Sequence, residues 1–150
     1  MEDMVGTLFA IAKLADLEIR ENQIEVMDRG CPHFPSGLLQ GRMGIYLFKY
    51  GDKYLKIGKA GPKSDARFRS QHYNPNSAQS TLAKSILNDQ DMGKFNLNNE
   101  NVGNWIKQNT RRIDILMDSS LPVRVLDLFE SFLRCKFNPK YEGFQSQREW

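Results

Sequence analysis

The chain has 150 residues, 40% of them hydrophobic, and its 21 Lys/Arg against 18 Asp/Glu leave a formal charge of +3. That length suits one domain that removes roughly two-thirds of its unfolded surface from water. No apolar run approaches the ~20 residues of a membrane-spanning helix, so a helical membrane protein is excluded.

The N-terminus opens with Glu2 and Asp3 and lacks a basic n-region, so no secretory signal is expected. Cys31 and Cys135 stand far apart and read as two free thiols in a reducing compartment, which places the protein in the cytoplasm. Met4, Leu8, Ile11 and Ala15 are spaced by four, three and four, one face of a helix over 3–15. Leu17, Ile24 and Met27 suggest a second short helix before Gly30, and residues 30–41, rich in Pro and Gly, read as a loop. A hairpin follows. Ile45 and Leu47 share one face of its first strand, Tyr46 and Phe48 the other; Gly51-Asp52 turns the chain; Tyr54, Leu55 and Ile57 form the second strand.

Ser64 offers an N-cap for a helix over about 65–73, with Asp65 in its first turn, and Ser77 one for a helix over 77–88. Residues 88–104 are rich in Asn and Gly and read as a surface loop, with Trp105 and Ile106 in a short helix. Alternation from Arg112 to Met117 predicts a strand, and Pro122 suits the first turn of a helix that runs to Phe137 and stops at Pro139. Leu126, Phe129, Leu133 and Phe137 stripe that helix, and Glu130 falls at the edge of the apolar arc. A carboxylate there calls for an ion pair with Arg134 or a lysine, or for a metal.

The charge is unevenly distributed. Between Arg42 and Lys84 nine Lys/Arg face two acids, whereas the remainder holds twelve basic and sixteen acidic residues. Such a basic segment attracts phosphate backbones. It contains Gly44-Ile45-Tyr46, then Lys56-Ile57-Gly58, then Arg67 at a helix start, and so a phenol, an ammonium and a guanidinium on neighbouring elements. Cleavage of a phosphodiester needs such a set: a base, a positioning cation and a group that stabilises the transition-state charge. Gly58 to Ser64 lacks the spacing of a nucleotide-binding P-loop, and Cys31-Pro32-His33 is at most half a zinc site.

With His72 and Tyr73 near the end of that helix, Glu130 in the late helix and a closing run Asn138 to Gly143, the chain resembles the GIY-YIG nuclease superfamily over about residues 42–143. The resemblance implies an α+β domain with a small three-stranded antiparallel sheet flanked by helices. It divides the chain into an N-terminal helical extension and linker (1–41) and a nuclease domain (42–150). It implies that Tyr46 takes the proton from water, that Arg67 stabilises the transition state, and that Glu130 holds one divalent ion, Mg²⁺ or Mn²⁺. The phosphate would stay at the 5′ end of the product. Lys56 stands where the family name has tyrosine, as in a branch with small restriction and phage endonucleases. An ammonium there would lower the pKa of the Tyr46 phenol or hold the water. Glu142 stands where the family often has asparagine, with Asn138 just before the proline.

His72 and Tyr73 are expected to assist near the phosphate or the base, and Arg42, Lys59, Lys63 and Arg69 to contact nucleic acid. The expected activity is metal-dependent DNA endonuclease, on single- or double-stranded substrate, with a homodimer or sequential nicks needed to cut both strands. The competing reading is an inactive nucleic-acid-binding module of the same fold.

Overall fold

The computed structural model describes residues 3–78 and 80–142. An antiparallel sheet of four strands runs in the order β1-β4-β2-β3, with β1 at Ile24–Gly30, β2 at Arg42–Tyr50, β3 at Lys53–Ala60 and β4 at Arg111–Asp118. Helix α1 (Met4–Leu14) and helix α5 (Arg124–Phe137) contribute to the core on one face of the sheet; α2 (Asp65–Arg69), α3 (Leu82–Leu87) and α4 (Val102–Asn109) contribute to a second core on the other.

The alternation expected of β2 is observed. Met43, Ile45 and Leu47 join the α1/α5 core, and Tyr46 and Phe48 join the α2–α4 core. The hairpin turns at Gly51, whose φ of 56° lies in the left-handed region that glycine enters without a steric penalty. Helix α1 starts where the Asp3 carboxylate accepts the Gly6 N–H at 2.9 Å. Helix α5 ends at Asn138, which takes the left-handed conformation of a C-terminal cap ahead of Pro139.

Two expectations fail here. The sheet has four strands rather than three, and the fourth is the segment expected as a second short helix. Ile24 and Val26 turn to the α1/α5 core and Met27 to the opposite one, which is strand alternation. The pairing that produces it joins β1 to β4, Ile24 opposite Met117. A contact so distant in sequence outranks a local spacing that only mimics a helical face. The segment before residue 42 therefore supplies an edge strand as well as α1, whose Leu8 and Ala12 lie in the same core as α5.

The helix expected over 77–88 begins only at Leu82, with Thr81 as its cap accepting the Lys84 N–H at 3.1 Å. The Ser77 hydroxyl instead donates to the carbonyls of Gln71 and Asn74. The helix expected over 65–73 stops at Arg69, and residues Gln71–Tyr73 form a 3₁₀ turn. On the outer edge, the Lys140 and Tyr141 N–H groups donate to the Tyr54 and Leu55 carbonyls of β3 at 2.9 and 2.8 Å, which protects that strand from adventitious pairing.

Candidate active site

Two glycines decide where the aromatic groups of the basic segment lie. Gly58 of β3 sits opposite Tyr46 of β2, and a Cβ on it would fall 2.3 Å from the tyrosine hydroxyl oxygen. A Cβ on Gly44 would fall 2.8 Å from the Phe68 ring. The bare backbone at 58 thus admits the phenol, and that at 44 admits the buried Phe68 that seats α2 on the sheet. Arg67, one residue before that anchor, stays exposed.

Tyr46 is 0% exposed, and its hydroxyl has no hydrogen-bond partner among the described residues. Burial raises its pKa above the usual 10, against the pull of the Arg67 guanidinium, with Glu130 adding to the rise and Arg112 opposing it. The guanidinium approaches the phenol oxygen without the distance and angle of a hydrogen bond. The Arg67 guanidinium and the Glu130 carboxylate thus push the ionisation of the Tyr46 phenol in opposite directions.

Glu130 is 9% exposed. One carboxylate oxygen lies 2.8 Å from the Lys59 ammonium and the other 3.7 Å from Arg134. Both the lysine and the arginine pairing anticipated for this residue are present. Lys59 also donates to Asp127, one turn earlier on α5, and Arg134 pairs with Glu142. Asp127 is the second carboxylate beside Lys59. Its i, i+3 relation to Glu130 was the signal that it belongs beside the site.

His72 packs against Tyr46 with ring centroids 4.5 Å apart. Its Nδ1 accepts the Leu82 N–H at 3.3 Å, so the neutral ring carries its proton on Nε2, which is buried without a partner among the described residues. Burial, then the charges of Lys56, Arg67 and Arg112, hold its pKa well below 6.5. Lys56 is 7% exposed and donates to Ser80 at 3.0 Å. It lies opposite Phe48 in the β2/β3 register, on the sheet face that carries Tyr46, and the cation that most affects the phenol is Arg67.

Helix α2 ends at Arg69, so Tyr73 lies in the 3₁₀ turn beyond it. Its hydroxyl accepts from Arg112 at 2.9 Å and donates to His33 Nε2 at 2.8 Å, since His33 Nδ1 must donate to the Thr110 carbonyl. Arg112, 1% exposed, further donates to Asp114 and to the Phe68 carbonyl at 2.6 Å, and Asp114 pairs with Arg29. This buried chain of polar groups fixes the end of α2. Nothing in the sequence spacing indicated it.

Of the residues expected to contact nucleic acid, Lys63 is exposed between β3 and α2, and Arg69 pairs with Asp65 at 3.3 Å over Gly37. Arg42 is half-buried opposite Asp118, with one guanidinium nitrogen unpartnered, and Lys59 is engaged by Glu130.

Among the described residues, no three His, Cys, Asp or Glu gather as a metal cluster. The chemistry of the donor set still fits one hard dication. The buried Glu130 carboxylate is an oxygen donor of the kind such an ion takes, with Lys59 and Arg134 lying against its two oxygens. No protein-family model, curated protein or solved structure matches the chain.

Proposed function

We propose that the protein is a divalent-metal-dependent DNA endonuclease with its site at Tyr46, Arg67, His72 and Glu130, of the kind the GIY-YIG resemblance implies. The observation that carries this reading is the buried, unpartnered Tyr46 hydroxyl on which an exposed guanidinium and a shielded carboxylate both act. A buried polar atom without a partner costs stability, and active sites are where such groups are retained. The basic segment around them favours a polyanionic substrate.

In this reading Glu130 would hold the ion, which polarises a phosphate oxygen and eases departure of the leaving oxygen when bound. Tyr46, as phenolate, takes the proton of the attacking water. Arg67 donates to the phosphate oxygens as charge builds on them. His72, neutral and packed on the Tyr46 ring, offers its Nε2–H to the water or to a phosphate oxygen. Lys56 keeps the local potential positive.

The test is incubation with labelled single- and double-stranded DNA, with Mg²⁺ or with EDTA. Cutting that needs Mg²⁺ is expected. DNA that is retarded but left whole with Mg²⁺ present would favour the inactive binding module, and absence of any interaction would overturn both readings.

A further inference from the structure

The Lys59 ammonium occupies the ground a metal ion would need. Its Nζ lies 2.8 Å from Glu130 Oε2, and the same ammonium donates to Asp127 Oδ1. A dication taken up by that carboxylate would meet the ammonium charge beside it, and the two like charges repel. The other cation on Glu130, Arg134, is farther away at 3.7 Å and is itself held by Glu142. Lys59 is the mobile member: its side chain is 40% exposed on a flexible stem, and its second partner, Asp127, is 60% exposed.

Resting on Glu130 as the ligand, we propose that Lys59 is a built-in competitor of the divalent ion, and that Asp127 receives its ammonium when the ion binds. The free protein then holds metal weakly. Phosphate oxygens of bound DNA supply the extra ligands that tip the exchange, so ion and substrate load together and the unloaded site stays neutralised.

The experiment is a Mn²⁺ titration of the full chain without DNA, read by electron paramagnetic resonance. Lys59→Met should tighten Mn²⁺ binding about three- to tenfold, the loss of one nearby cation and its ion pair, and Lys59→Arg should stay near the wild type. Asp127→Asn should weaken binding more in the wild type than in the Lys59→Met background. Thermal melts establish that each variant is folded.

Equal affinities of wild type and Lys59→Met would overturn the proposal, as would tighter binding that survives Glu130→Gln in the Lys59→Met background. Additive effects of the Lys59 and Asp127 substitutions would remove Asp127 from it. Tighter Mn²⁺ binding by a chain that cuts no DNA would uphold the competitor and sink the nuclease reading; unchanged affinity in a chain that cuts with Mg²⁺ would do the reverse. No Mn²⁺ binding by any form would sink both.

Discussion

The Tyr46 hydroxyl lies 2.3 Å from where a β-carbon would stand on Gly58. The phenol is buried between β2 and its own layer of aromatic rings, so it cannot swing aside into water. Gly58→Ala should therefore cost about 1–3 kcal/mol through overpacking and reduce DNA cutting by about a hundredfold, because a displacement near 1 Å disables a positioned base. Urea unfolding and a nicking assay on the same preparation check both halves.

Tyr46→Phe should separate stability from activity. The lost hydroxyl has no partner to leave unsatisfied, so the variant should be as stable as the parent or more stable by up to about 1 kcal/mol. Cutting should vanish. With a phenol pKa above the usual 10, the wild-type rate should climb between pH 7 and 9, by about one log unit per pH unit, as the phenolate fraction grows. A flat profile would remove Tyr46 from the role of base.

Arg67 is exposed and Glu130 is an ion-paired residue at a core edge. Arg67→Ala should leave the unfolding free energy within about 0.5 kcal/mol while lowering the cutting rate by about a hundredfold or more. Glu130→Gln should abolish the response to Mg²⁺. Retention of Mg²⁺-stimulated cutting by Glu130→Gln would place the ion elsewhere.

Tyr73→Phe should behave in the opposite way to Tyr46→Phe. It removes the acceptor of Arg112 and the donor to His33, both buried. The expected loss is about 1–3 kcal/mol, with the cutting rate per folded molecule largely kept. A full loss of cutting in a stable Tyr73→Phe protein would return this residue to the site.

Acid should destabilise the fold through its histidines. His72 and His33 are buried, and both have pKa values held below 6.5, burial being the largest cause in each case. The unfolded chain then binds more protons than the folded one as pH falls from 6.5 through the folded values, so stability is fully present above 6.5 and declines below it. The carboxylates with lowered pKa, Asp28, Asp89 and Asp118, add their losses only below 3.8. Urea midpoints between pH 7 and 5 should fall for the wild type and fall less steeply for His72→Asn.

The β2–β3 hairpin, β4 and α5 were legible because their signals are local: a glycine turn, alternation over a few residues, and a stripe ended by Asn138-Pro139. β1 was not, because its one-sided and half-exposed residues acquire strand geometry only from β4, far along the chain. Tyr46, Arg67 and Glu130 were legible as residue types in order, and both Arg67 and Glu130 influence the ionisation of the Tyr46 phenol. The part of Lys59 was hidden because a sequence cannot tell an ammonium facing solvent from one turned onto Glu130. Tyr73 was misplaced because the break at Ser70 redirects it, and the partners that hold it there, His33 and Arg112, lie about forty residues away on either side.

The strand order β1-β4-β2-β3 puts the last strand synthesised between the first and second. While a nascent chain still ends before residue 111, β1 and β2 have nothing to join them, and Arg112 is not there to hold the end of α2. Glu130 leaves the ribosome later still. A chain interrupted before residue 111 therefore lacks both the strand that closes the sheet and the acidic residue of the proposed site.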